Sequence, residues 1–399
     1  MLKSVSNIFI KYQDTQDKKV KNYSSIRFIW LFFTFLSSSM ITVGGFNYLI
    51  NPYGIFNHDL LSNLNHEKPR KDNNDRLFKA VEIINIKPDV VMIGSSRIKQ
   101  GMNPSNFQLE QNNAVYNLGI NGPNMYEVKR YLKHAIANQP NMKTVIFGVD
   151  FFMFNEFLDN QPSFEEKRLE TRYLIPQDII NTLFSLDALE GSWETVRASL
   201  RRTKMVDERA NNGFMPNRNA GDGRNRWRFE NSIRAYYQNH NQYQLSEDHL
   251  KSFQEVVELC KDNNIKLKIF ISPSHATQWE SIAQTGHWDT FEQWKRELVN
   301  ITPVWDFSGY NTITTEPLED IMTYYTDSSH YTESVGNFII SRMYLDESKE
   351  IPEDFGILIN LDNIEQYLVN IRQDRQVWKT NNEQEMKLVN EVYLKWQNK

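Results

Sequence analysis

Cysteine is nearly absent from this chain: Cys260 is the single one in 399 residues, so no intrachain disulfide can form, and its place in Val256-Val257-Glu258-Leu259-Cys260, a helical apolar stripe, points to core packing. A basic excess is also missing. The 45 Lys and Arg against 50 Asp and Glu leave a formal charge of −5, which argues against nucleic acid as a partner. Charge disappears altogether between Phe28 and Ile50, where Trp30, Leu31, Phe32, Phe33, Phe35, Leu36, Met40, Ile41, Val43 and Phe46 accumulate. That run is long enough to cross a hydrocarbon core of roughly 30 Å as a helix. No Ala-x-Ala cleavage site lies after it, which favours an uncleaved anchor over a signal peptide. Upstream, Lys3, Lys11, Lys18, Lys19, Lys21 and Arg27 outnumber Asp14 and Asp17, so the positive-inside rule keeps residues 1–27 cytoplasmic and predicts a single-pass protein of the cytoplasmic membrane with its main domain outside the cytoplasm.

Beyond the anchor the chain alternates between two periods. Asn51-Pro52-Tyr53-Gly54 breaks the helix, and residues 51–84 read as a linker. Short apolar or β-branched runs at 90–93, 114–117, 144–149, 265–271 and 304–307 are separated by helical patterns such as 126–137 and 247–261. This spacing predicts βαβ units, hence an α/β fold with a parallel sheet and helices on both faces. The expected domain covers residues 85–345, with 151–245 as a helical insertion that breaks the rhythm and 346–399 as a peripheral helical tail. With 40% apolar residues the chain can bury one sizeable core plus these appendages.

Chemistry concentrates at the carboxyl ends of the expected strands, where open α/β sheets place their ligands. Asp89-Val90-Val91-Met92-Ile93-Gly94-Ser95-Ser96-Arg97 is a buried strand delivering hydroxyls to the sheet edge, and Asp327-Ser328-Ser329-His330 supplies a base with its orienting carboxylate. On local sequence alone the reading of Ser96 as a helix N-cap wins; the distant Asp-x-x-His changes that balance. Two further blocks lie between: Val115 to Asn124, a strand with a glycine turn at Gly119, and Val145 to Phe152, containing Asp150.

The four blocks, in this order, resemble the SGNH (GDSL-like) hydrolases, and Gly94-Ser95-Ser96 behind an anchor is similar to the membrane-bound envelope branch of that superfamily. The resemblance implies Ser96 as nucleophile, His330 as base and Asp327 as its orienting partner. It further implies backbone N–H groups of Ser96 and Gly119 as oxyanion donors, and Asp150 where the family has an oxyanion-binding Asn. A carboxylate there would repel an oxyanion, so Asp150 is expected to be protonated, turned away, or replaced by a neighbour such as Asn121. The implied activity is a serine O-acyltransferase on cell-envelope polysaccharide, with an esterase of the same fold or a non-catalytic glycan-binding subunit as alternatives. No metal or cofactor is expected. A multi-spanning membrane acyltransferase is the partner that the resemblance suggests.

Substrate contacts are expected from Arg97, as an anion-binding group or a solvated surface residue, from His275 after the fourth strand, and from the insertion. There Arg201, Arg202, Arg218, Arg224, Arg226, Trp227, Arg228, Arg234, Tyr236, Tyr237 and Tyr243 combine arginine forks with aromatic faces suited to sugars. A loop whose aromatics pack on the domain is the competing reading.

Overall fold

A computed structural model describes residues 2–58, 61–107, 114–201, 212–217, 221–346 and 350–398, without the side chains of 2–24 and 62. The side chains of the leader's lysines, and Arg202 and Arg218 altogether, therefore lie outside what is described. The helices are, in chain order, α1 (Leu2–Ile50), α2 (Ser62–Asn65), α3 (Asp75–Ile86), α4 (Ser96–Gly101), α5 (Met125–Asn138), α6 (Glu166–Leu169), α7 (Pro176–Phe184) and α8 (Leu186–Leu200). Then come α9 (Asn225–His240), α10 (Glu247–Asp262), α11 (Ala276–Gln284), α12 (Trp288–Ile301), α13 (Glu333–Tyr344), α14 (Ile364–Asn381) and α15 (Glu383–Gln397). The strands are β1 (Val90–Gly94), β2 (Val115–Gly119), β3 (Thr144–Val149), β4 (Lys266–Ile271), β5 (Val304–Asp306) and β6 (Ile357–Ile359).

The chain divides into two compact units, residues 1–71 with 176–203, and residues 72–175 with 204–399. In the first, the stretch Ser25–Ile50 of α1 is long and apolar enough to cross a membrane, with a mean hydropathy of 1.6. The polar seam of this unit joins Asn47 of α1 to α8, where the Ser192 hydroxyl donates to Asn47 Oδ1 at 2.8 Å.

The second unit is an α/β domain. Its sheet has the order β2-β1-β3-β4-β5-β6, parallel except for β6, which runs antiparallel against β5. Every residue of β1 and β3 is buried, which explains why these strands read as continuous apolar runs rather than alternating ones: helices flank the sheet, leaving no wet face. Since β1 leads to β2 on one side and is joined by β3 on the other, the strand order reverses between β1 and β3. The crevice outside their carboxyl ends is where such a sheet binds ligands.

The structure redraws three boundaries. The expected linker at 51–84 already contains α3, whose Phe78, Ala80 and Ile83 are core residues. The insertion at 151–245 is not one body: α7 and α8 belong with the first unit, whereas α9 packs into the α/β domain against α11 and α15. Residues 346–399 are not a peripheral helical tail, since they supply β6, and Ile364, Leu368, Ile371, Trp378, Leu388, Val389 and Val392 are buried. Three-residue β6 is too short to show a period, and the charged faces of α14 and α15 hid their apolar stripes.

Candidate active site

Gly94 ends β1 with φ +152°, and a Cβ there would lie 2.5 Å from the carbonyl oxygen of Gly148. Only glycine permits this turn beside β3. Ser95 follows as N-cap of α4, its hydroxyl accepting from the Arg97 N–H at 3.1 Å. Ser96 thus occupies the first position of α4, at the crevice, and its own N–H finds no acceptor among the described residues. The helix-capping reading belongs to Ser95, which leaves the Ser96 hydroxyl unclaimed by the backbone.

Ser96 Oγ lies 2.8 Å from His330 Nε2. His330 Nδ1 lies 2.8 Å from Asp327 Oδ2 and 3.0 Å from Oδ1. Asp327 Oδ1 also accepts the backbone N–H groups of Ser329 at 2.7 Å and His330 at 2.9 Å, because an Asp three residues before a His folds the chain into an Asx-type turn. Burial would raise the Asp327 carboxyl, but the His330 imidazole and these hydrogen bonds outweigh it and hold the group below its ordinary value. An ionised Asp327 fixes the Nδ1–H tautomer, which leaves Nε2 free to accept the Ser96 proton.

Three elements hold the turn in place. From α9, Ser232 Oγ accepts the Ser328 N–H at 3.1 Å. After β4, the His275 N–H donates to the Ser328 carbonyl at 3.1 Å. From α4, Arg97 donates through Nε to the Ser329 carbonyl at 3.1 Å and through Nη2 to the Ser329 hydroxyl at 3.0 Å.

Several expected roles are corrected by this geometry. Asp150 is turned away from any oxyanion: its two oxygens accept from Arg97 Nη1 at 2.5 Å and from the Ser95 hydroxyl at 2.5 Å. A carboxylate so engaged donates nothing. Gly119 directs its N–H to Asn117 Oδ1 at 2.9 Å, so that donor is taken. The residue is glycine because a Cβ would lie 2.5 Å from the Lys99 nitrogen and 2.8 Å from the Ser95 carbonyl oxygen, where α4 crosses β2. Asn121 has its N–H bound to Asp75 at 2.7 Å and its carbonyl to Arg76 at 2.8 Å. Its half-buried side-chain amide has no partner among the described residues, and it stands beyond the end of β2.

Arg97 is buried and committed to Asp150 and Ser329, so it is neither a free anion site nor a solvated side chain. The His275 ring is fully buried, bonded to Thr277 and to the Glu316 carbonyl, with burial pushing it down to about 4; only its backbone supports the site. Arg228 is buried against Asp222 and Asn225, while Trp227 is exposed beneath Arg224. Tyr236, Tyr237 and Tyr243 pack into the core.

The sequence reading missed the Ser95–Asp150–Arg97 cluster. The available signal was an unpaired acid after β3 and a basic residue after β1, both at adjacent strand ends. Among the described residues no group of three or more His, Cys, Asp or Glu is placed to hold a metal. A cleft of about 470 Å³, with Asn124, Lys129, His249, Lys251 and Glu255 in its walls, lies along α5 and α10 and includes none of Ser96, Asp327 or His330. Compared with known proteins, the chain matches no family model, no curated sequence and no solved structure.

Proposed function

We propose that this protein is a membrane-anchored, extracytoplasmic serine O-acyltransferase acting on cell-envelope polysaccharide, built as an SGNH-type domain. The observation that carries the chemistry is the 2.8 Å approach of Ser96 Oγ to His330 Nε2 with Asp327 behind the ring. In the proposed reaction His330 takes the Ser96 proton as Oγ attacks an acyl carbonyl, and Asp327 stabilises the imidazolium. The oxyanion is met by the Ser96 N–H, with the Asn121 amide as the second donor available at that sheet edge. His330 then returns the proton to the leaving oxygen, giving an acyl-serine. A second hydroxyl, deprotonated by His330, attacks that ester; the Ser96 Oγ–acyl bond breaks, Ser96 Oγ takes the proton back from His330, and the acyl group leaves on the new ester oxygen.

The choice of acceptor rests on the anchor and on the resemblance of Gly94-Ser95-Ser96 to the envelope branch. A glycan hydroxyl competes with water only if held at high effective molarity. Exposed Trp227 on α9, the helix that also braces the His330 turn through Ser232, is the side chain offered for this. A multi-spanning acyltransferase would be the acyl supplier.

A fluorophosphonate probe is expected to label the wild type and not Ser96→Ala, and Ser96→Ala or His330→Ala should lower acyl release from p-nitrophenyl acetate roughly a thousandfold or more. Unlabelled, folded wild type would point to the glycan-binding subunit instead. If acyl release proceeds but no envelope oligosaccharide becomes O-acylated, the protein is an esterase. The Asp150 position, which favoured a non-catalytic subunit, is accounted for by Arg97, which neutralises the carboxylate.

A further inference from the structure

Helices α7 and α8 are inside out. In α7 the buried side chains are the polar Asp178 and Thr182, while on the opposite face Ile180 and Phe184 are 52% and 42% exposed. In α8 the buried stripe is Ala188, Gly191, Ser192, Thr195 and Ser199, and opposite it Leu186, Trp193 and Leu200 are 84%, 58% and 63% exposed. A soluble helix packs its apolar stripe inward. In α8 above all, small and weakly polar residues at the helix contact with large apolar ones outside give the arrangement of helices solvated by lipid.

The inward face of α8 and the end of α7, where the half-exposed Phe184 ring reaches over, meet α1 close to where its apolar stretch ends. A Cβ on Gly44 would lie 2.6 Å from the Phe184 ring, Asn47 Nδ2 donates to the Leu183 carbonyl at 2.9 Å, and Asn47 Oδ1 accepts from Ser192. The outward apolar surface of α7 and α8 is thus continuous with the exposed apolar surface of Ser25–Ile50. A third stripe of α8, Asp187, Glu190 and Glu194, is held by Arg70 at 2.6, 2.8 and 2.8 Å. At roughly 14 and 22 Å, helices of 9 and 15 residues are too short to span a bilayer. They suit the interface plane, apolar side down and charged side toward water.

We propose that α7 and α8 form a collar lying in the interfacial layer of the bilayer that α1 crosses, with Ile180, Leu186, Trp193 and Leu200 immersed among lipid. The proposal rests on the reading of α1 as a membrane span. It assigns a structural purpose to chain that interrupts the α/β rhythm: the collar fixes the end of α1 to the membrane surface at a set depth. Because Arg70 offsets only one of the three carboxylates, the stripe gives no attraction for anionic lipid, and immersion is driven by apolar area.

The test uses the full chain in zwitterionic phosphatidylcholine vesicles, with single cysteines introduced by Phe33→Cys, Leu186→Cys, Trp193→Cys and Lys387→Cys and labelled with an environment-sensitive NBD maleimide. Native Cys260 is buried with its thiol pushed up to about 12 and stays unlabelled. Labels at Leu186 and Trp193 should be quenched by shallow doxyl lipids roughly threefold more than the Lys387 label, and equally at low and high salt. If they follow aqueous iodide like Lys387 while Phe33 is lipid-quenched, the collar is wrong and the span stands. If Phe33 also escapes lipid quenching, the span reading fails and takes the collar with it. Shielding of Leu186 and Trp193 from both quenchers would mean that protein, such as a second copy, covers them, and would also overturn the proposal. Far-UV circular dichroism of each variant identifies any that fails to fold.

Discussion

Next to Ser96 in the chain, the buried Arg97 side chain bonds the residues that flank the proposed Ser96–His330 pair. Arg97 holds Asp150, and through it Ser95, on one side, and Ser329 of the His330 turn on the other. Removing one partner of a buried ion pair leaves the other uncompensated, typically at about 3–5 kcal/mol. Asp150→Asn is therefore expected to lower the unfolding midpoint and to slow acyl release chiefly through kcat, whereas Arg97→Lys, which keeps the charge but not the planar fork, should restore stability more than turnover. Urea melts and steady-state kinetics of both variants check this; equal recovery of both properties by Arg97→Lys would reduce Arg97 to a stability residue. Ser95→Ala tests the neighbouring hydroxyl. It removes a cap and a bond to Asp150, worth about 1–2 kcal/mol, yet should keep fluorophosphonate labelling, in contrast to Ser96→Ala.

The elements around the site are held together by close backbone approach. Helix α4 crosses β2 at Gly119, and α13 crosses α4 where a Cβ on Gly336 would lie 2.0 Å from the Gly101 carbonyl oxygen. Gly119→Ala must push α4, and Ser96 with it, off the strand. The expected result is a loss of at least about 2 kcal/mol, in the range of overpacked cores, with acyl release falling further than the folded fraction does. Thermal melts beside active-site titration separate these two effects, and unchanged activity in a folded Gly119→Ala would show that α4 tolerates displacement. The helix α9 adds a different support, because its Ser232 fixes the His330 turn from the opposite side. Ser232→Ala should weaken turnover by a smaller factor than Asp327→Asn, since the turn retains its bonds from Arg97 and from the His275 N–H.

At the scale of the whole molecule, burial sets the response to acid. Burial pushes the fully buried His275 ring down to about 4 from an ordinary value of 6.5; burial together with Arg97 also pushes His240 down to about 4. A histidine depressed in the folded state binds its proton more readily when unfolded, so stability rises with pH between about 4 and 6.5 and is lost as pH falls through that window. For His275 the loss reaches about 3 kcal/mol at the acid end. Denaturant melts across this range should show a shallower pH dependence for His275→Gln than for the wild type, and parallel curves would place the acid sensitivity elsewhere. Orientation is testable on the same scale: a C-terminal reporter that works only outside the cytoplasm should be active, and activity only from a cytoplasmic reporter would overturn the extracytoplasmic placement.

By itself the sequence determined the features that depend on neighbours along the chain. Charge-free Phe28 to Ile50 dictates a long apolar helix, the buried runs at 90–94 and 144–149 dictate central parallel strands, and Asp327-x-x-His330 closes into a turn whatever surrounds it, because the Asp carboxylate reaches the next N–H groups locally. The end of β1 was legible because Gly94, which lacks a Cβ, permits the turn and serines follow it, whereas the cap itself fell on Ser95 rather than on Ser96. Only the tertiary structure decided what depends on chain segments far apart: that Arg97 meets Asp150 rather than solvent, that the Ser96 hydroxyl meets His330, that the Ser232 hydroxyl meets the Ser328 N–H, and that α7 and α8 join the first unit. The physical reason is the same in each case. A side chain's charge and hydrogen-bonding capacity are fixed by its identity, but which partner satisfies them is set by the packing of strand ends and helices that lie from about 50 to more than 200 residues apart.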